Sequence, residues 1–282
     1  MKKAIFTLAI GDNPMYQAAI LSFQHYADKV GADLIISDSL HYPINIENPR
    51  YSASPAWAEK LRIGELLKEY DRVLYVDADI LITPNARNIF TEYEDPDCIY
   101  MLNEGAHCER SLEKSLIEQQ LGEVDWPIVN GQPDYYNVGV MLLSQSHQLF
   151  SYCDLPLLQS VCNHIRFYEQ TVFNYQIFKH QLKHTAISAS FNRMDMFGEE
   201  GYLDADFIHY AGKGYAKNNR RRDVQFLKDF AQLYAGIVSE EDIKRLKAQA
   251  WQQYLNKIYK KYPLPNFLLK VLCECNVPHW ST

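Results

Sequence analysis

The stretch Leu74-Tyr75-Val76-Asp77-Ala78-Asp79-Ile80-Leu81 sets two carboxylates one residue apart at the end of an apolar run. On an extended chain, residues i and i+2 share a face. Asp77 and Asp79 would then repel unless protons, cations or hydrogen bonds offset their charge. One reading is a strand running into a turn, with one aspartate capping the next element. The other is a divalent cation held at the carboxyl end of a core strand, and hard oxygen ligands of this kind suit Mg²⁺ or Mn²⁺.

Composition sets the frame. The 282 residues suffice for one large domain or a domain with an appendage. A hydrophobic content of 47% and a charged content of 22% are those of an ordinary globular protein, and a net charge of −7 gives no reason to expect nucleic acid as a partner. Two lysines before an apolar run at the N-terminus imitate a signal peptide. That run ends at Gly11-Asp12 without a small-residue cleavage pattern and reads as a first buried strand. The apolar runs fall short of the roughly 18 residues a membrane span needs. The six cysteines lack metal-site or disulfide-framework spacing, which points to reduced thiols and a cytoplasmic protein.

Strand and helix signals alternate through the first half. "AIFTLAI" and "ADLIIS" read as buried strands around the helical "PMYQAAILSFQHYADKV". "SPAWAEKLRIGELLKEY" has Ile63, Leu66, Leu67 and Tyr70 at helical spacing and leads into "RVLYVDADIL". Such alternation argues for a mostly parallel sheet flanked by helices, with ligands beyond the carboxyl ends of the strands, where Asp77 and Asp79 fall. Residues 103–135 are polar and read as an excursion around the short helix "SLEKSLIEQQL". "YYNVGVMLL" returns as a strand, "EQTVFNYQIF" is helical, "DADFIHYAG" is a short strand entering a turn, and the chain beyond about residue 220 is helical.

Five segments in order resemble the family 8 glycosyltransferases, the group that includes glycogenin and bacterial lipooligosaccharide galactosyltransferases. They are "FTLAIGDNPMY", "AEKLRIGELLKEYDRVLYVDADIL", "PDYYNVGVMLL", "EQTVFN" and "FIHYAGKGYAK", and together they cover roughly residues 3–217. The resemblance implies a GT-A-type α/β fold, a single mixed sheet flanked by helices, over residues 1–220, with a helical C-terminal extension over 221–282. It implies a retaining, metal-dependent transferase that moves a hexose from a UDP-sugar to a bacterial surface glycan or glycolipid acceptor.

Residue by residue, the resemblance makes Asp77, Asp79 and His209 the metal ligands, and a histidine in the shell favours Mn²⁺ over Mg²⁺. Asp77 would also lie near the ribose. Leu8, Ile10 and Tyr16 match the region that holds the uracil and ribose, and Lys60 matches a lysine that reaches the donor. Asp134, Asn137, Glu169 and Gln170 match positions that line the sugar-transfer pocket. Glu169 stands where the family has Asp, and its extra methylene moves the carboxylate by about 1.5 Å. The family's terminal Gly-X-X-Lys-Pro-Trp is replaced by Gly212-Lys213-Gly214-Tyr215-Ala216-Lys217. Diphosphate contact then shifts to Lys213 or Lys217, with the backbone of Gly212 and Gly214 free to approach.

Other classes fit less well. A phosphohydrolase using Asp-X-Asp carries Thr or Val two residues after the second Asp, where this chain has Leu81. A sugar nucleotidyltransferase shows a Gly-rich basic loop after strand one, and "LAIGDNPMY" has neither Arg nor Lys. In the extension, Trp251, Tyr254, Tyr259, Tyr262 and Phe267 interleave with Lys257, Lys260 and Lys261. Residues 251–272 therefore read either as an interfacial segment on the inner face of the cytoplasmic membrane or as a helix packed on its own domain or a second subunit.

Overall fold

The computed structural model describes residues 1–47, 49–212, 214–215 and 222–276, the last without its side chain. Lys213, Lys217 and most of the "NNRRRD" cluster lie outside the described residues. The expected α/β class is observed: a mixed sheet flanked by helices.

The six-stranded sheet is built from β1 (Lys3–Leu8), β2 (Asp33–Ser37), β3 (Arg72–Val76), β5 (Ile99–Asn103), β8 (Tyr136–Ser144) and β9 (His184–Ala186), in the order β2-β1-β3-β8-β5-β9. β1 pairs in parallel with β2 and β3, and β8 runs antiparallel to both β3 and β5. Two short ladders lie outside this sheet. β4 (Ile80–Ile82) pairs with β10 (Phe207–His209), and β6 (Ile128–Val129) with β7 (Gln132–Pro133). Among the main strands β3 and β8 are buried at every residue, which is why their sequences are apolar runs rather than alternations.

Each face of the sheet carries its own core. Ile5, Leu74, Val76, Val140 and Leu142 pack on the side of α1 (Pro14–Val30), while Phe6, Val73, Tyr75, Met141 and Leu143 pack on the other. α1 begins where Asn13 accepts from the Met15 N–H and Pro14 occupies the first turn, and it ends at Gly31 with φ 65°. The second layer contains α2 (Arg62–Leu66), α5 (Leu155–Val161) and α6 (Tyr168–Lys179). α3 (Ile89–Glu92) and α4 (Ser111–Leu121) are short, and α4 is the helix expected within the polar excursion.

The helix expected over 54–70 begins as a tight 3₁₀ segment, Pro55–Leu61, running into the short α2. Buried anchors override the helical spacing there. The Glu59 carboxylate accepts from the His41 and Tyr42 backbone N–H groups, and Lys60 reaches towards β8.

The C-terminal helices are α7 (Arg222–Leu233), α8 (Glu240–Lys261) and α9 (Asn266–Asn276). Phe226, Leu227 and Phe230 of α7 join the α1-side core, as do Leu246 and Ala250 of α8. Tyr234, just beyond α7, is locked by its hydroxyl on the Ile82 carbonyl at 2.8 Å. No helix among the described residues is long and apolar enough to cross a membrane.

Candidate active site

β3 ends at Val76, so Asp77 and Asp79 do not share a strand face as their spacing suggested. They flank a turn closed by Ile80 N–H on the Asp77 carbonyl (3.0 Å), which delivers the chain into β4. Backbone bonds pin both ends of this turn: Asp77 N–H donates to the Gly139 carbonyl of β8 (2.8 Å), and Tyr210 N–H donates to the Asp79 carbonyl (2.9 Å). The β4–β10 ladder places His209 opposite Ile80. Ligand atoms of Asp77, Asp79 and His209 thereby lie within 4.8 Å of one another, a grouping built from three elements.

A relay of amides sets the histidine. Gly139 N–H donates to Asn137 Oδ1 (2.9 Å), which fixes the Asn137 amide. Asn192 Nδ2 donates to that same oxygen (3.0 Å), so Asn192 Oδ1 is an acceptor facing His209 Nδ1 at 2.8 Å. The proton therefore sits on Nδ1, and Nε2 faces Asp79 Oδ1 at 3.3 Å. In the neutral ring that contact sets a lone pair against a carboxylate oxygen, which a cation between them satisfies; a second ring proton on Nε2 turns the same contact into an ion pair, the form in which His209 lowers the Asp79 pKa. The donor set of two carboxylates and one imidazole fits Mn²⁺ or Mg²⁺, and the second hydrogen bond on the imidazole is the usual support of a metal-ligating histidine.

The strand itself is shaped to admit these side chains. Register with β5 slips between Tyr100, opposite Leu142, and Leu102, opposite Asn137, a bulge that contains Gly139. A Cβ at Gly139 would lie 2.5 Å from His209 Cε1, 2.9 Å from Asn137 Oδ1 and 3.0 Å from Asp77 Oδ2. The carboxylate–imidazole cluster occupies the space a side chain would need.

The cluster opens into a cavity of ≈ 340 Å³. Leu8, Tyr16, Lys60, Asp77, Asp79, Asn137, Glu169, Gln170, His209 and Gly212 all line it. Ile10 and Asp134 do not. Asp134 is held behind the wall by Asn103 Nδ2 (2.6 Å) and the Tyr136 hydroxyl (3.4 Å). Lys213 lies outside the described residues. Tyr215, at the position the resemblance aligns with a lysine, is turned inward: its hydroxyl donates to the Arg193 carbonyl and its ring stacks on Tyr202.

Charge in the cavity is paired. Lys60, 3% exposed, sits 3.4 Å from Asp77 and 3.2 Å from Glu169. Burial would lower the Lys60 pKa, but these two carboxylates outweigh it and hold the ammonium charged. Burial pushes Glu169 up against the pull of Lys60, and its Oε2 is buried with no hydrogen-bond partner. Burial likewise opposes ionisation of Asp79, but His209, Arg222 and Lys60 outweigh it and keep the carboxyl below its usual range. The Tyr75 hydroxyl donates to Asp77.

Three contributors escaped sequence reading. Asn192 carries no local signal, since its role appears only once the 3₁₀ turn Ala189–Asn192 is folded against β10. Arg222 was one of several basic residues in a polar run. Phe167 enters the cavity from the residue before α6, with φ 49°, and directs the first turn of that helix, with Glu169 and Gln170, at the cluster.

No family model and no curated protein matches this sequence. Solved structures similar to the chain include several glycosyltransferases. One, involved in glycosylation of the major capsid of PBCV-1, is 14% identical, with 80% of this chain and 100% of that chain covered at a TM-score of 0.49. The galactosyltransferase LgtC, with donor and acceptor sugar analogues, is 16% identical, with 84% and 98% covered at 0.49. Mouse xyloside xylosyltransferase 1 is 14% identical, with 74% and 97% covered at 0.46.

Proposed function

We propose that the chain is a metal-dependent, retaining hexosyltransferase that moves the sugar of a UDP-sugar onto a bacterial surface glycan, such as a lipopolysaccharide or lipooligosaccharide core or a capsule. The observation that carries this reading is the Asp77–Asp79–His209 grouping in one cavity with Lys60, Glu169 and Gln170. Asp77, Asp79 and His209 would hold Mn²⁺ or Mg²⁺, which neutralises charge on a departing diphosphate when bound.

The chain's own residues supply the rest. Leu8 and Tyr16, with Ile10 just outside the lining, would bound the uracil and ribose. The Gly212 backbone (φ 61°) would approach the phosphates, and Lys213 keeps that role on sequence alone. Lys60 would hold Asp77 and Glu169 in place, and Glu169 Oε2, lacking a partner inside the protein, is suited to accept from a donor hydroxyl. Asn137 acts through the relay to His209, and Asp134 keeps its place in the proposal on its motif alone. Gln170 Oε1 accepts from the Val138 N–H at 3.1 Å, so its amino group is the end that can donate to a sugar or phosphate oxygen.

Incubation with a panel of UDP-sugars, each with and without Mn²⁺, followed by mass spectrometry, tests the assignment. UDP and a free or transferred hexose formed only with metal would support it. UMP with a sugar phosphate, or inorganic phosphate alone, would point to the other two classes and overturn it. Gln170→Ala is expected to lower turnover about 10- to 100-fold with little change in UDP affinity, because the amide acts on the transfer step. Equal loss of UDP binding by calorimetry would make Gln170 structural.

Peripheral membrane contact through residues 251–272 belongs to the same proposal. Leu264, Phe267, Leu268, Val271 and Leu272 are exposed near Lys257, Lys260, Lys261 and Lys270. Anionic liposomes should then co-sediment the intact chain, less so as salt rises. Binding that ignores salt, or none, would sink the idea. Truncation after Val238 tests the packing alternative, because α8 buries Leu246, Ala250 and Leu255. Each leucine contributes about 1.5–3 kcal/mol, so the shortened chain is expected to melt earlier or aggregate in a thermal scan.

A further inference from the structure

The cavity brings three carboxylates, Asp77, Asp79 and Glu169, together with two fixed cations, Lys60 and Arg222. Their situations differ. Lys60 is 3% exposed and wedged between two carboxylates and the Val138 carbonyl. The Arg222 side chain, on the first residue of α7, is 34% exposed, and its Nη1 reaches Asp79 Oδ2 at 2.6 Å and the Tyr210 carbonyl at 3.1 Å. Of the two, Arg222 is the one placed to change partners. Its guanidinium has donors beyond Nη1 in the fork geometry that matches phosphate oxygens.

Asp79 cannot serve two cations equally well. The carboxylate that holds Arg222 would also be one of the three ligands of the proposed metal, and a dication on Asp79 would set two positive groups against one another. An anion arriving with the dication resolves the conflict. Arg222 lines the same cavity as Gly212, Ala211 and Tyr16 and touches Asp79, so a diphosphate held beside Asp79 would meet its guanidinium. Tyr215 is turned into the core, and Lys60 is held between Asp77 and Glu169, so Arg222 is the more exposed of the two cavity cations among the described residues.

We infer that Arg222 is a diphosphate-binding residue of this site, in addition to the Gly212 backbone and Lys213, and that it exchanges partners on loading, from Asp79 in the unliganded protein to the diphosphate of a metal–nucleotide pair. This deepens the proposed transfer function and rests on it. The exchange makes the two ligands cooperate: Mn²⁺ alone competes with Arg222 for Asp79, whereas Mn²⁺ with a nucleoside diphosphate gives the guanidinium a new counter-ion.

Two binding measurements that should move in opposite directions test it. Mn²⁺ alone is titrated by electron paramagnetic resonance into wild type, Arg222→Ala and Arg222→Lys, and UDP is titrated by calorimetry at saturating Mn²⁺. Arg222→Ala is expected to bind Mn²⁺ alone about threefold more tightly, because a competing partly exposed ion pair is gone. The same variant should bind UDP about tenfold more weakly, the loss of one charge-assisted bond. Arg222→Lys should keep wild-type Mn²⁺ affinity and recover part of the UDP affinity. Wild type that binds both ligands, with the two affinities of Arg222→Ala moving together or either one unchanged, would overturn the exchange alone. Wild type that binds neither UDP nor Mn²⁺ would overturn the transfer function and the exchange with it.

Discussion

Asp79→Asn is expected to reduce metal-dependent donor turnover by about 10²- to 10³-fold while the protein melts within a few degrees of wild type. The activity loss follows from where each oxygen points. Oδ1 faces His209 Nε2 at 3.3 Å and Oδ2 faces Arg222 at 2.6 Å. An amide can still accept from Arg222 with its oxygen, which turns its NH₂ towards the Nε2 lone pair. A neutral hydrogen bond then closes the position a cation would take. The small stability change follows from offsetting terms. Repulsion from Asp77 disappears, and Arg222, a third exposed, exchanges a charged acceptor for a neutral one. Partly exposed ion pairs of this kind are worth about 0–1 kcal/mol, or a shift of about 2–4 °C at most in a domain this large. UDP-sugar hydrolysis across a Mn²⁺ titration, with a thermal melt of the same preparation, checks both parts. Wild-type hydrolysis at limiting Mn²⁺ would show that the cation is held elsewhere.

The same geometry explains why some of the site could be read from the chain and some could not. The Asp-X-Asp spacing announced a charge problem, and the apolar runs around Val73 and Met141 announced buried strands, because local sequence records burial and charge directly. Hydrophobic spacing also placed α1 well, since long periodic patterns survive tertiary context. It misread 54–61, where buried Glu59 and Lys60 are tied to other elements and tighten the backbone into a 3₁₀ segment. It also put Asp77 and Asp79 on one strand face, although β3 stops one residue earlier. The relay through Asn192 had no trace in sequence, because it joins positions 55 and 17 residues apart by side-chain amides alone. Asp134 shows the reverse case: its motif is plain, yet its carboxylate is spent on Asn103 behind the wall.

Gly139→Ala is expected to damage the site and the fold together, unlike Asp79→Asn. Backbone considerations alone favour the change, since glycine in a strand interior costs roughly 0.5–1 kcal/mol relative to alanine. Packing opposes it more strongly. The added methyl would stand 2.5 Å from His209 Cε1, 2.9 Å from Asn137 Oδ1 and 3.0 Å from Asp77 Oδ2. None of these is the loose end of a flexible chain. Asn137 is tied to the Gly139 N–H and to Glu104, and His209 is tied to Asn192. Relief must come from moving β8 or rotating the imidazole, and overpacking of this kind costs about 1–3 kcal/mol, so the net sign is destabilising. A displaced imidazole should also weaken Mn²⁺ binding by about 10- to 100-fold, the usual cost of disturbing the support of a metal ligand. Urea denaturation and Mn²⁺ titration on one sample read the two effects. A variant that gained stability and kept wild-type Mn²⁺ affinity would mean that the bulge at Gly139 yields without moving His209, and that the cluster owes nothing to the missing side chain.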